Sequence, residues 1–327
     1  MREIDSMYRF VIQICFFPLL CGCTYSFTTV RDQPIEDCAP QVVLDEAQAA
    51  FQSGDFDWAG HLASYIVEEQ PDAPEAEDAL YIAAESSYRE EELREAFSLF
   101  KELASRFPAT KYSRIIAERD YAMGCSFFEE GEGFFGVFKN RAYGVKVMNH
   151  LMTYFPTSDL ADDAQLAIGE YFFSVDDYTA AAESLERIIK EYPTSEWVEK
   201  ATFMTGMSYY MLNKGPSYDR ESLLRCIEFL RFYRDRYPAG NFFDESGELL
   251  SDSCERMAAK EMEIALYYLD QDQDRGGRMH LANAVLLFPA TDSGRKAQEM
   301  LDEKGWDTSI NSIDTIRSRK EGRRARE

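Results

Sequence analysis

Apolar residues between Ala161 and Pro193 recur with the period of a helix, twice in succession. Ala164, Ala167, Ile168, Tyr171 and Phe172 follow the i, i+3, i+4, i+7, i+8 spacing of one helix face. Ser174 to Tyr178 interrupts this with a polar turn. Ala181, Leu185, Ile188 and Ile189 then make a second face, and Pro193 ends it, because proline has no N–H for the next helical bond. Two amphipathic helices this short cannot bury both apolar faces on each other. They must stack on a neighbour, which is the mark of a helical repeat.

The unit recurs along the chain. Phe107-Pro108, Phe155-Pro156, Tyr192-Pro193, Tyr237-Pro238 and Phe288-Pro289 are aromatic-proline helix stops, and Gln70-Pro71 is a weaker one. A small residue and two larger apolar ones precede each stop at fixed offsets. They are Ala181, Leu185 and Ile188 before Pro193, and Ala96, Phe100 and Leu103 before Pro108. Gly144, Met148 and Leu151 precede Pro156, and Cys226, Leu230 and Tyr233 precede Pro238. Ala59, Ala63 and Ile66 precede Pro71, and Gly277, Leu281 and Ala284 precede Pro289. The unit resembles the tetratricopeptide repeat, a helix–turn–helix of about 34 residues. Ile168-Gly169 falls at its Leu-Gly pair, Phe172 at its aromatic and Ala181 at its small crossing residue. The expected fold is all-α, a tetratricopeptide-repeat superhelix (an α-solenoid) of five to six helix pairs over residues 41–303. First helices would line its concave groove, with Tyr81, Tyr88, Tyr121 and Phe127 as candidate groove residues and core packing as the other reading of each. A further helix from Ser293 to Glu303 would cap it through Ala297, Met300 and Leu301.

The N-terminus reads as a targeting segment. Phe10 to Leu20 is an apolar run too short to span a bilayer, and it ends in Leu20-Cys21-Gly22-Cys23. This resembles the bacterial lipoprotein box, which implies cleavage after residue 22 and acylation of Cys23. Residues 1–22 are then a signal peptide and 23–40 a lipidated tether, with no helical period and with Pro34 and Pro40. Thr24, not an acidic residue, follows the cysteine, which implies the outer membrane, facing the periplasm.

Charge and motifs narrow the function. The net charge of -24 argues against nucleic acid or an anionic bilayer as partner of the main body. No common catalytic or nucleotide-binding motif occurs, so no enzyme activity and no cofactor is expected. His61, His150 and His280 fall on different repeats, which offers no metal site. Cys38, Cys125, Cys226 and Cys254 read as core thiols, with a disulfide in an oxidising compartment as the other reading. Residues 304–327 form a basic tail carrying Arg317, Arg319, Lys320, Arg323, Arg324 and Arg326. It reads either as a solubilising tail or as an electrostatic contact for an acidic partner or membrane surface.

Two repeats are longer than the template. Gly124 to Gly144, and Gly206 to Cys226, each hold extra residues between the paired helices. The first insertion contains Phe134, Phe135 and Phe138, and the second contains Tyr218, Asp219 and Arg220. Insertions in repeat arrays fall in loops on one edge, so these six are candidate partner-binding residues, with packing onto their own repeat as the alternative. The aromatic-proline stops, the insertion from Asn213 to Arg220 and the stretch from Ile227-Glu228-Phe229-Leu230 to Tyr237-Pro238 together resemble the BamD family of outer-membrane assembly lipoproteins. The resemblance implies a binding role in the complex that folds β-barrels into the outer membrane. Its partners would be the barrel-forming subunit, through the C-terminal repeats, and unfolded barrel clients. A lipoprotein adaptor of another envelope machine, in cell division, the Tol system or pilus assembly, is the alternative.

Overall fold

The computed structural model describes residues 35–129, 137–213 and 219–308 of the 327-residue chain. The described residues form helices without strands. The chain divides into two compact units, Met1–Glu92 and Leu93–Glu327. The first holds α1 (Pro40–Ser53), α2 (Phe56–Glu69) and α3 (Ala76–Arg89). The second holds α4 (Leu93–Arg106), α5 (Ser113–Glu129), α6 (Val137–Tyr154), α7 (Ala161–Ser174) and α8 (Tyr178–Glu191). It continues with α9 (Val198–Met211), α10 (Arg220–Arg236), α11 (Phe243–Asp270), α12 (Asp274–Leu287) and α13 (Asp292–Glu303). From α5 to α13 each helix packs on the next, the arrangement of a tetratricopeptide α-solenoid.

Two turn types generate this order. At each stop the residue before proline accepts a hydrogen bond three residues on, with proline at the position that favours its fixed φ. Thr110 donates to Phe107, Ser158 to Phe155, Ser195 to Tyr192 and Gly240 to Tyr237, at 2.9 to 3.0 Å. The turn inside a standard repeat is a left-handed residue two positions before the second helix: Gly54, Glu91, Asp176 and Asp272, with φ of 85°, 63°, 62° and 56°. Each is closed by the following N–H: Asp55 to Ala50 O, Glu92 to Ser87 O, Asp177 to Phe172 O and Gln273 to Tyr268 O, at 2.9 to 3.0 Å. Only Gly54 adopts this conformation without strain; the three acidic residues tolerate it at a cost of roughly 1 kcal/mol each.

The offsets before each proline are core positions. Ala59, Ala63, Ile66, Ala96, Phe100, Leu103, Met148, Leu151, Ala181, Leu185, Ile188, Cys226, Leu230, Tyr233, Leu281 and Ala284 are all fully buried. Burying each large side chain stabilises the fold by about 1.5–3 kcal/mol. Small residues in the first helix let these in. A Cβ on Gly169 would stand 2.7 Å from Leu185 Cδ2, and one on Gly206 2.8 Å from Leu230 Cδ2. Ala297 and Leu301 of α13 are buried against Ala265, Leu281 and Ala284, with Met300 partly buried there, as expected of a cap.

The structure departs from expectation in four places. First helices are buried on two sides, not one: α7 gives Ala161, Ala164 and Ile168 to one cluster and Leu166 to another with Leu185, Ile188 and Ala201. An internal helix of a stack has neighbours before and after it, so a single apolar stripe understates its burial. Second, the end of the first insertion is helix: α6 begins at Val137, before Phe138. Third, α11 runs 28 residues, twice the 14 of α12. Its first half joins α10 through Leu249, Leu250 and Cys254, Met257 and Ala258 follow at its middle, and its second half joins α12 and α13 through Ala265. Fourth, the described end of the tether is ordered, with a 3-10 turn at Ile35–Asp37, Cys38 buried and Pro40 at the start of α1.

Candidate partner-binding surface

The second insertion is held at both stems by α11. At the end of α9, Arg256 Nη1 donates to the Asn213 carbonyl and Nη2 to the Tyr210 hydroxyl, both at 3.1 Å. Its Nε pairs with Asp252 at 2.7 Å, and Tyr210 donates to the same carboxylate at 2.9 Å. At the start of α10, Arg220 Nη1 pairs with Glu261 Oε1 at 2.5 Å. Glu261 is fully buried, and its other oxygen accepts from His280 Nδ1 at 2.8 Å and Asn283 Nδ2 at 3.2 Å. Burial pushes this carboxyl up, yet the bonds from His280 and Arg220 outweigh burial and hold it below its ordinary value. A buried carboxylate needs such partners, since an unpaired charge there is severely penalised. Two points on one helix thus fix where the insertion leaves and re-enters the repeat.

Several site residues expected from the sequence have structural work to do. Asp219 caps α10: Oδ1 accepts from Glu221 N at 3.2 Å and Oδ2 from Ser222 N at 3.1 Å. The Ser222 hydroxyl also bonds it, and these contacts hold its carboxyl below the usual range. Arg220 is engaged by Glu261, although 45% of its side chain stays exposed. Phe127 is a correction: it is 3% exposed and meets the Tyr143 ring edge-on at 5.1 Å, so it is core and not groove. Tyr121 is half-buried against the α5–α7 cluster; burial first, then Cys125, pushes its phenol up to about 12. Tyr81 and Tyr88 are half-buried on α3, in the other unit. Cys23, Phe134, Phe135 and Tyr218 lie outside the described residues, as does the tail from residue 309; Phe138 falls in α6.

Polar residues that the sequence left unassigned are prominent here. Asp120 on α5 and His150 on α6 form a buried pair at 2.6 Å. Burial pushes Asp120 up to about 6 despite the hydrogen bond and charge of His150. His150 and His280 thus both face buried carboxylates. Among the described residues no group of three or more His, Cys, Asp or Glu is placed to hold a metal. Cys125, Cys226 and Cys254 are free thiols, Cys226 fully buried and 3.3 Å from the Ser253 hydroxyl. No described helix is long and apolar enough to cross a membrane.

Comparison with known proteins adds the lineage. A tetratricopeptide-repeat family model matches residues 78–110. Three solved structures are similar in fold. A thermophilic TPR protein of Thermus thermophilus is 16% identical over 65% of this chain and 99% of its own, with a TM-score of 0.30. A tetratricopeptide repeat protein from Parabacteroides merdae is 14% identical over 80% and 97%, with a TM-score of 0.33. PilW, described as a type IV pilus biogenesis factor, is 15% identical over 79% and 98%, with a TM-score of 0.27. No curated protein matches. The model of the outer membrane lipoprotein family YfiO, the BamD family, matches residues 139–305, more than half of the chain and all of the clamp on α11. The chain belongs to this family of outer membrane lipoproteins.

Proposed function

We propose that the chain is a lipid-anchored scaffold subunit of the outer-membrane β-barrel assembly complex, tethered through Cys23 and facing the periplasm. It binds the barrel-forming subunit and presents unfolded barrel clients to it. The observation that carries the docking half of this reading is the double clamp. Asn213 and Arg220 are pinned to Arg256 and Glu261, so the insertion between them stands on a rigid base inside the region matched by the family. Tyr218, in that insertion, supplies an aromatic ring with a polar tip, a residue type enriched at interface hot spots. The first insertion, with Phe134, Phe135 and Phe138, is the second candidate contact. Tyr81 and Tyr88 in the first unit, and separately Tyr121 in the second, are candidate contacts for client segments, which repeat grooves accommodate.

The test is copurification of the full chain from detergent-solubilised membranes. Tyr218→Ala is expected to reduce recovery of a barrel-forming outer-membrane protein while leaving helicity and melting unchanged. Arg220→Ala does not serve, because losing the contact to Glu261 destabilises the fold together with any interface. Undiminished recovery with Tyr218→Ala rejects the loop as the docking surface. Recovery of a division or pilus machine in place of a barrel protein rejects the complex.

A further inference from the structure

Two junctions between second helices share a register and differ in charge. Where α8 meets α10, Arg225 Nη2 donates to both oxygens of Glu186 at 2.9 and 3.0 Å, and Nη1 pairs with Glu228 at 3.5 Å. The guanidinium lies over the Phe229 ring at 5.1 Å and the Tyr209 ring at 5.7 Å. A cation resting on rings is there held by two carboxylates from within the chain. Counting back from Pro108 and Pro156, as from Pro193 and Pro238, gives the matching positions where α4 meets α6. Tyr143 stands in the place of Arg225, Lys101 in that of Glu186 and Lys146 in that of Glu228. Both carboxylate positions are lysines.

The rings remain at this junction. Tyr143 meets Phe97 edge-on at 5.6 Å and Phe127 at 5.1 Å. Lys146 Nζ lies 4.8 Å from the Tyr143 centroid and 5.5 Å from that of Phe97, and Arg94 lies 4.4 Å from that of Tyr143. Lys101 is exposed on the same face of α4 as Arg94, two helical turns further on. Neither lysine has a carboxylate partner among the described residues. α6 carries no Asp or Glu from Val137 to Tyr154. On α4, Glu95 and Glu102 fall on the far side of the helix from Phe97, and Glu102 is engaged by Arg106 at 2.7 Å. We propose that this cationic, aromatic face is a docking site for an acidic segment of a partner protein, whose carboxylates supply what Glu186 and Glu228 supply at the later junction. Arg94 and Lys101 stand about 10 Å apart along α4, at 1.5 Å per residue. Three residues of extended chain span about the same distance. An extended segment with acidic residues at i and i+3 therefore meets both points. An anionic bilayer fits less well, because it also faces the rest of a chain of net charge -24. The inference goes beyond the scaffold reading above and does not depend on which complex the chain serves.

The experiment uses the full chain in a non-ionic detergent. The probe is the peptide Gly-Asp-Ser-Gly-Asp-Gly with both ends blocked, and the control peptide carries Asn for both Asp. The ring resonances of Tyr143 are followed by NMR in a chain isotope-labelled at tyrosine. Saturable shifts with a Kd of roughly 1 mM at low salt are expected from the acidic peptide alone, the range of a small ligand making few contacts. Raising the salt to about 0.3 M should weaken binding about tenfold. Lys101→Glu with Lys146→Glu supplies the carboxylates from within and is expected to abolish the response without lowering the melting temperature. Lys190→Glu with Lys296→Glu changes the net charge equally on α8 and α13 and is expected to keep it. If the first pair misfolds, Lys101→Gln with Lys146→Gln removes the same charges and must weaken binding in a folded protein. No saturable shift, an equal shift from the Asn peptide, undiminished binding in the Lys101 and Lys146 variants, or equal loss in the control pair overturns the inference. Binding of phosphatidylglycerol vesicles through Lys101 and Lys146, with no saturable shift from the peptide, makes the face a lipid contact and also overturns it.

Discussion

Gly169 tests the repeat register at a single atom. A Cβ there would lie 2.7 Å from Leu185 Cδ2 and 2.8 Å from Cγ, closer than real contacts come. The Cγ branch point cannot swing away as a chain end does, and Leu185 is fully buried. Overpacking of this kind costs about 1–3 kcal/mol. Against it stands helix propensity, which favours alanine over glycine by about 1 kcal/mol in a helix interior. The clash wins, so Gly169→Ala is expected to destabilise by about 1 kcal/mol, read as a lower urea midpoint by circular dichroism. Leu185→Ala alone should cost about 2–5 kcal/mol. With the leucine gone the clash vanishes and propensity remains, so Gly169→Ala should now stabilise by about 1 kcal/mol. A reversal of sign between the two backgrounds is the expected outcome, a coupling of about 2 kcal/mol. Additive effects, or a Gly169→Ala protein more stable than the parent, would refute the crossing.

Three further outcomes follow from the same contacts. Glu261→Gln should cost about 1–3 kcal/mol by urea titration; because the folded carboxyl sits below its ordinary 4.5, the wild type should also lose stability as pH falls below that value, and the variant should lose less. Asp120 is the opposite case: its folded value of about 6 exceeds the ordinary 3.8, so its contribution to stability falls as pH rises from about 4 to 6, and Asp120→Asn should remove that slope. An unchanged slope would mean that Asp120 is not the group responsible. Cys23→Ser should leave the membrane fraction for the soluble one, and a variant that stays membrane-bound contradicts lipidation.

What the sequence could show was set by distance along the chain. The aromatic-proline stops and the offsets behind them are local, and Ala181, Leu185 and Ile188 land where their spacing puts them. The left-handed turn was legible at Gly54 but hidden at Glu91, Asp176 and Asp272, since carboxylates also suit helix starts and solvent. The length of α11 had a signal that repeat counting passed over: no proline divides Phe243 from Asp270. The clamp had none, because Arg220 meets Glu261 across 41 positions and Arg256 meets Asn213 across 43. Phe127 looked like groove because helical periodicity tells which face is apolar, not whether a neighbour such as Tyr143 covers it.

The central claim is a direct docking between the clamped insertion and a barrel-forming protein. A photo-crosslinking amino acid placed at Tyr218 in the full chain, activated in living cells, reports that contact before any extraction. The account predicts one dominant adduct, identified by mass spectrometry as an outer-membrane barrel-assembly protein. An adduct to a protein of another envelope machine, or none from Tyr218 while the candidate groove position Tyr121 crosslinks strongly, would contradict it.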